Sequence, residues 1–129
     1  LKESCLFCPD VFPGVETLIP LCFCEVVLHG RLTLPRFVDV VSTSPARLMG
    51  LASKGRLEPG ADADIVVIDP TDERLIKTRN LHQKVDCTPY EGMVVRGWPR
   101  HVWLRGEPII FGRQLSGYAG QGRFVPRTL

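Results

Sequence analysis

Residues 55–70 constrain the fold most, because the sequence pattern differs on the two sides of this stretch. The stretch reads Gly-Arg-Leu-Glu-Pro-Gly-Ala-Asp-Ala-Asp-Ile-Val-Val-Ile-Asp-Pro. Pro59-Gly60 predicts a turn, since proline presets φ and glycine tolerates positive φ. The apolar, mostly β-branched run 65–68 predicts a buried strand, and Asp69-Pro70 is expected to end it because proline cannot donate to a ladder. Helical spacing precedes the stretch and strand spacing follows it, so we predict an α+β chain.

Three helices are predicted before residue 55. The first spans 15–29, where apolar residues recur at intervals of three and four, and Pro20 is expected near its first turn, where proline is tolerated. His29 followed by glycine is typical of a helix C-terminus, so we interpret His29 as a helix-end residue and not as a metal ligand. Thr33 is a suitable N-cap for the second helix, and Ser44 followed by proline is a suitable N-cap for the third. Each helix is apolar on one side, which indicates that a larger surface packs against it.

The segment after residue 55 predicts five short strands with period-two patterning. These strands are 63–68, 74–78, 93–96, 101–105 and 108–111. Gly97-Trp98-Pro99 is expected to separate the third strand from the fourth, and residues 105–107 to form the hairpin corner between the last two. We therefore divide the chain into a helical part, 1–54, a sheet part, 55–112, and a tail rich in glycine and arginine, 113–129.

Composition excludes several classes of partner. The 16 basic and 14 acidic residues leave a net charge of +2, and without a basic run this charge does not indicate nucleic-acid binding. Apolar runs stay shorter than the roughly 18 residues that a membrane span requires. No signal peptide is recognisable and the chain begins with leucine, which suggests a processed or truncated protein in the cytoplasm. We expect no nucleic-acid partner and no membrane partner.

The five cysteines leave one ambiguous motif. Cys5 and Cys8 have the C-x-x-C spacing and, with Cys22 and Cys24, would supply four zinc ligands. Cys22 and Cys24 fall in a predicted helix, however, where side chains two positions apart diverge. We therefore favour small buried or loop thiols, and the roles of these four cysteines stay open. Cys87 has no partner cysteine nearby in sequence.

A search for catalytic motifs finds none. His29, His82 and His101 lie in separate predicted elements without metal-ligand spacing. Phosphate-binding loops and nucleophile elbows are also missing from the pattern. Many carboxylates are expected at the surface or in turns. Asp62 and Asp64 in particular are interpreted as residues that shape the turn before the strand, and not as an acid–base pair.

Several motifs occur in an order that resembles the C-terminal part of cyclic amidohydrolases, and most closely their dihydropyrimidinase/hydantoinase branch. In addition to residues 55–70, these motifs are Phe12-Pro-Gly-Val-Glu-Thr-Leu-Ile-Pro-Leu21, Ser42-Thr-Ser-Pro-Ala-Arg-Leu-Met-Gly-Leu51, Val85-Asp-Cys-Thr-Pro-Tyr-Glu-Gly-Met93 and Gly122-Arg-Phe-Val-Pro-Arg127. Each motif alone is weakly specific. The ordered set covers nearly the whole chain and is therefore strong.

The resemblance implies a particular place in a larger protein. An intact member is a (β/α)8 (TIM) barrel with a β-sandwich built from both ends of the chain, and it is often a homotetramer. Residues 15–51 would then be the last barrel helices, and residues 55–111 the C-terminal sandwich strands. The family usually binds two zinc ions through four histidines, a carboxylated lysine and an aspartate, all in the part that precedes the matching stretch. The resemblance therefore implies no catalytic residue and no metal ligand in this chain, which alone should be inactive.

The family reaction is the hydrolytic opening of a cyclic amide, in which metals supply a nucleophile at neutral pH and polarise the carbonyl. The family's loop after the last barrel strand carries an asparagine whose backbone contacts the amide edge of the substrate. Asp10 is the matching residue, and Val11 replaces a glycine beside it. Asp10 is thus a candidate substrate-binding residue through its backbone, although an ordinary turn residue is an equally good interpretation.

Two alternatives stay open at this stage. The collapsin response mediator proteins resemble the same family, share a similar tail and act in assembly without metal ligands. Residues 88–90 are closer to the enzymes, so we favour a ring-opening hydrolase. Allantoinase and dihydroorotase are alternatives within the enzyme class. The tail resembles segments that dock on a neighbouring subunit, which implies a homo-oligomer.

Overall fold

The computed structural model describes residues 13–127. Its helices are α1 (Val15–Cys22), α2 (Leu34–Val38) and α3 (Ser44–Leu48), and its strands are β1 (Ile65–Leu75), β2 (Val94–Leu104), β3 (Glu107–Phe111) and β4 (Gln114–Leu115). Two wider π-helical segments, Phe23–Leu28 and Asp39–Thr43, and a short 3₁₀ turn, Thr78–Asn80, complete the elements. Helices therefore precede strands, as predicted for an α+β chain.

The first predicted helix is confirmed, because α1 and the π-helical segment after it continue to Leu28. His29 follows as the C-terminal residue, and Gly30 has a φ of 69°. The Gly30 amide donates to the Val27 carbonyl at 3.0 Å, which closes the last turn. Pro20 lies inside α1 and is buried, and not in the first turn as predicted.

The second and third predicted helices form one continuous helical segment from Leu34 to Leu48. Thr33 is the N-cap by its extended backbone, but its side chain makes no capping hydrogen bond. The prediction of Ser44 as an N-cap is wrong, because Ser44 has helical φ and ψ and its amide donates to the Asp39 carbonyl. This bond spans five residues, so the π register carries the helix past the point where Pro45 would otherwise mark a start.

The four strands form one antiparallel sheet in the order β1-β2-β3-β4. The predicted strands 63–68 and 74–78 are one strand, so the prediction that Asp69-Pro70 ends the strand is wrong. The pairing with β2 shifts register between Asp69 and Glu73 instead. β1 lies at an edge of this sheet, and an edge strand tolerates proline because one row of its amides faces away from the ladder.

Strand β2 likewise joins the predicted strands 93–96 and 101–105 through Gly97-Trp98-Pro99. Gly97 has a φ of 90°, and a Cβ atom there would lie 2.2 Å from Cδ1 of Phe23. Glycine thus allows the strand to continue under an aromatic ring of the helical part. The prediction that this tripeptide separates two strands is wrong, because β2 continues through it and only its register with β1 shifts.

The hairpin between β2 and β3 is confirmed. Leu104 pairs with Glu107, and the two turn residues Arg105 and Gly106 have φ values of 51° and 81°. Positive φ at both positions is the geometry of a type I′ hairpin. The fourth strand, Gln114–Leu115, lies inside the segment predicted as a tail, and its two residues were too short a pattern to find.

The core lies where the helical part meets β2. Cys24, Ile76, Val95 and Trp98 form one buried cluster, and Trp98 donates from its indole nitrogen to the Val95 carbonyl at 2.9 Å. The rings of Phe23 and Phe37 meet edge to face with centroids 5.7 Å apart, which joins the two helical segments. Among the described residues, no helix is long and apolar enough to cross a membrane.

Many large apolar side chains remain exposed outside this core. Val15 is 93% exposed and Leu48 is 86% exposed, although both lie in helices. Such faces on a folded chain indicate contact surfaces, since apolar area gains free energy when it leaves water. The structure thus agrees with the sequence pattern, which predicted helices that pack against a larger surface.

Candidate functional site

The carboxylates of residues 55–70 are held by one lysine. Lys54 Nζ lies 2.9 Å from Asp62 Oδ2 and 2.5 Å from Asp64 Oδ2. Its hydrogen bonds to Asp62 and then Asp64 raise the pKa of Lys54, and the Lys54 side chain is only 15% exposed. Hydrogen bonds from Lys54 and then Ser53 lower the pKa of Asp62. Asp64 also accepts the Arg105 amide at 2.8 Å, so the pair connects the turn before β1 with the β2–β3 hairpin.

Asp69, which lies at the register shift of β1, is likewise held by hydrogen bonds and ion pairs. Its Oδ1 accepts the Thr71 hydroxyl at 2.7 Å and the Thr71 amide at 3.0 Å, and these two bonds lower the pKa of Asp69. Its Oδ2 lies 3.5 Å from Arg113 and 3.7 Å from Arg100. Asp72, 8% exposed, pairs with Arg113 at 3.3 Å as well. These carboxylates therefore fix the backbone of the sheet, as predicted for Asp62 and Asp64.

The histidines predicted to be separate are separate in the structure. His29 lies 3.5 Å from Glu25 in the preceding turn, which agrees with its interpretation as a helix-end residue. His82 binds Glu16 twice, through its amide at 2.7 Å and through Nδ1 at 2.9 Å. His101 Nδ1 accepts the Gly112 amide at 3.1 Å. Each ring thus has its own partner in a different part of the fold.

Cysteine positions leave the zinc alternative unconfirmed. Cys24 is buried in the core cluster, and Cys22 is partly buried with a free thiol. Cys5 and Cys8 lie outside the described residues, as does the candidate substrate-binding residue Asp10. Within residues 13–127, no group of three or more His, Cys, Asp or Glu side chains is arranged to hold a metal ion.

A groove of about 860 Å³ lies between the helical part and β1. Apolar side chains line most of it, among them Phe37, Val41, Met49, Ile65 and Ile68. The bound Lys54, Asp62 and Asp64 cluster forms part of its wall. Sequence reasoning missed the cluster because Lys54 precedes its partners by a loop and shares no periodic spacing with them. A lysine at the start of the loop that leads to an Asp-x-Asp turn would have been the signal.

Comparison with known proteins identifies the family to which this chain belongs. The sequence profile of the amidohydrolase family matches residues 10–110. D-phenylhydantoinase from Escherichia coli is 44% identical over 121 residues, which cover 93% of this chain and 26% of that protein. The chain therefore spans about a quarter of the length of the curated relatives it matches.

Solved structures show the same correspondence. The structure of D-hydantoinase (dihydropyrimidinase) from Thermus sp. matches with a TM-score of 0.88 and 35% identity, over 92% of this chain and 26% of that chain. Dihydropyrimidinase from Brevibacillus agri matches with a TM-score of 0.82 and 41% identity, over 85% of this chain and 24% of that chain. Sequence and fold agree along nearly the whole chain, and the chain belongs to the amidohydrolase family, in its hydantoinase type.

Proposed function

We propose that this chain is the C-terminal part of a metal-dependent hydrolase that opens cyclic amide rings of the dihydropyrimidine or hydantoin type. The observation that carries the proposal is the 44% identity to D-phenylhydantoinase over 93% of the chain. The proposed division assigns 1–54 to the end of a TIM barrel, 55–112 to a β-sandwich and 113–129 to the tail. Exposed apolar faces on the helical part support this division, because barrel helices pack against a sheet.

The described residues do not form a set of side chains that could hold the metals of such an enzyme. Asp62 and Asp64 lie close together, but both already bind the Lys54 ammonium. A metal cation would have to displace that ammonium. We propose that the metals, two zinc ions with a carboxylated lysine, are held by residues that this chain does not supply. The described residues instead stabilise the packing of helices on the sheet, and no chemical step runs through them.

We propose that the substrate is a cyclic amide and that Asp10 contacts it through the backbone. A backbone contact reads the amide edge of a ring, where a carbonyl and an N–H group lie side by side. A side-chain carboxylate at this position adds negative charge near the ring and thereby affects substrate choice. We further propose a homo-oligomer in the cytoplasm, supported by the exposed aromatic residues Tyr118 and Phe124 in the tail.

A chimera tests the proposal directly. The matching 121 residues of Escherichia coli D-phenylhydantoinase would be replaced by those of this chain, and the hydrolysis of phenylhydantoin and dihydrouracil would be followed by chromatography. We expect ring opening with a kcat within roughly tenfold of the parent, equal to about 1.4 kcal/mol in the barrier, because the proposed metal ligands come from the retained part of the parent. Asp10→Asn should retain activity, whereas Asp10→Pro, which removes the backbone amide, should raise KM.

The controls separate enzyme from assembly protein. Metal content and circular dichroism report whether the chimera is folded and loaded. A folded, loaded chimera without hydrolysis of either ring would contradict the proposal and favour an assembly role. Hydrolysis of allantoin or dihydroorotate in place of phenylhydantoin would instead assign the chain to one of those two enzyme classes.

A further inference from the structure

The turn between β3 and β4 consists of Gly112 and Arg113 and lies over strand β2. Their φ values are 57° and 73°. A residue with a side chain rarely adopts positive φ, because Cβ then crowds the carbonyl oxygen. The Arg113 conformation therefore persists only if contacts with the rest of the sheet hold the turn in place.

Two backbone amides of the turn bind β2. The Arg113 amide donates to the Arg100 carbonyl at 3.0 Å, and the Gly112 amide donates to His101 Nδ1 at 3.1 Å. The first acceptor is a peptide carbonyl, which does not titrate. The second is a ring nitrogen, which accepts a hydrogen bond only while it carries no proton.

The Arg113 side chain makes the third attachment. Its guanidinium reaches past β2 to β1, 3.5 Å from Asp69 Oδ2 and 3.3 Å from Asp72 Oδ2. Asp69 stays ionised in mild acid, since hydrogen bonds from Thr71 lower its pKa. The Arg100 carbonyl does not titrate and the Asp69 carboxylate keeps its charge in mild acid, so among these attachments the ring nitrogen of His101 is the acceptor that a proton can remove.

Neighbouring aromatic rings fix the orientation of the His101 ring. Trp103 stacks on it with ring centroids 5.5 Å apart, and Phe111 contacts it at 4.7 Å. A protonated imidazole keeps both contacts, because the aromatic faces attract a cation. Protonation therefore leaves the ring where it is and places an N–H group against the Gly112 amide, so that two donors face each other.

The charged groups around the ring come from every element that packs against it. β2 itself contributes Arg100 and the turn contributes Arg113. The β1 residue opposite His101 is the uncharged Val67, and the charged groups of β1 beyond it are Asp69, Asp72, Glu73 and Arg74. In β3, the titratable residue is Glu107, at the opposite end from Phe111 and bound by Gln121. The three carboxylates of β1 are already paired with arginines, Asp69 and Asp72 with Arg113 and Glu73 with Arg96 at 3.9 Å, so none of them is left to compensate a donor–donor conflict at Gly112.

We propose that His101 is a pH-sensitive latch of the β3–β4 turn, closed when its imidazole is neutral and released when the imidazole is protonated. Imidazoles change charge between about pH 5 and pH 8, so the latch responds to mild acid. Release removes one of the two backbone attachments of the turn to β2, and β4 and the chain after it become more mobile.

Hydrogen exchange of the Gly112 amide tests the latch in the full chain. Exchange would be measured by NMR at about pH 7.5 and about pH 5.5, and corrected for the intrinsic pH dependence of exchange. Protection of Gly112 should fall roughly five- to tenfold at the lower pH, the factor carried by one ordinary hydrogen bond. The Gly106 amide is the internal control, because it lies in a similar two-residue turn and donates to the Ala63 carbonyl at 2.9 Å. Its protection should not change.

Two further measurements complete the test. His101→Phe retains a ring but has no acceptor, so its Gly112 amide should exchange fast at both pH values. Nitrogen spectra of the wild-type imidazole should show Nδ1 without a proton at neutral pH, and this reading requires no variant to fold. Equal corrected protection of Gly112 at the two pH values, an unchanged pH response in His101→Phe, or a proton on Nδ1 at neutral pH would each overturn the latch.

Discussion

Replacing Gly97 by alanine should destabilise the contact between the helical part and the sheet. An added Cβ atom would lie 2.2 Å from Cδ1 and 2.8 Å from Cε1 of Phe23, and the φ of 90° is unfavourable for any side chain. The backbone strain costs about 1–2 kcal/mol, and overpacking against a ring costs about 1–3 kcal/mol. We therefore expect Gly97→Ala to lower the free energy of unfolding by roughly 2–5 kcal/mol.

Gly60→Ala is the matched control. Gly60 has nearly the same φ, 93°, but a Cβ atom there meets nothing within 4 Å. This variant carries the backbone strain without the steric overlap, so the difference between the two variants measures the overlap with Phe23. Urea denaturation followed by circular dichroism and by tryptophan fluorescence would give both free energies, and coincident transitions would justify a two-state treatment.

A double variant sharpens the measurement. Phe23→Ala removes the ring that the new methyl group would strike, so Gly97→Ala should cost less in that background than in the wild type. Equal destabilisation by Gly97→Ala and Gly60→Ala, or an undiminished cost of Gly97→Ala in the Phe23→Ala background, would refute the steric reasoning.

Three other predictions concern the acid stability, the activity and the association of the chain. Hydrogen bonds hold the pKa of Asp62 below its ordinary value, so the stability that Asp62 contributes is complete above about pH 4 and is lost as the pH falls further. Lys54→Met should flatten this acid dependence of the free energy of unfolding, measured by denaturation from pH 7 to pH 3. The purified chain alone should not open dihydrouracil with added zinc, and a zinc-dependent product in chromatography would refute this expectation. The purified chain should associate, because burial of a large aliphatic side chain is worth about 1.5–3 kcal/mol, and serine at Val15 and Leu48 should reduce the mass seen in light scattering; a wild-type monomer would contradict it.

The sequence predicts the local elements here better than their continuity. Helical spacing and a terminal glycine correctly locate the helix that ends at His29, and the Arg-Gly-Glu sequence at 105–107 correctly locates the hairpin. Prolines and glycines were interpreted as ends, yet Pro70 is tolerated at a sheet edge and Gly97 is tolerated beneath Phe23. Whether such a residue ends a strand depends on its neighbours in space, which a linear pattern does not contain.

The candidate site is predicted in the same uneven way. The structural interpretation of Asp62 and Asp64 follows from turn chemistry, but the partner that holds them, Lys54, lies in a loop without periodicity. The latch residue His101 was excluded as a metal ligand by its isolation in sequence. Its acceptor role depends on a turn eleven residues later, which the chain brings next to β2 through the β2–β3 hairpin.

The pKa directions of Asp62, Asp69 and Glu91 bear on whether these carboxylates could serve as a general base. A general base that works at neutral pH requires a pKa near 7. Burial or a neighbouring negative charge can raise the pKa of a carboxylate from its ordinary value toward 7. Hydrogen bonds instead lower the pKa values of Asp62, Asp69 and Glu91. These carboxylates keep their negative charge and accept hydrogen bonds from nearby donors. They therefore hold the backbone in place and are poor acceptors of a proton. The residues that a motif search would select first are thus those that the structure uses to hold β1 and its surroundings in place.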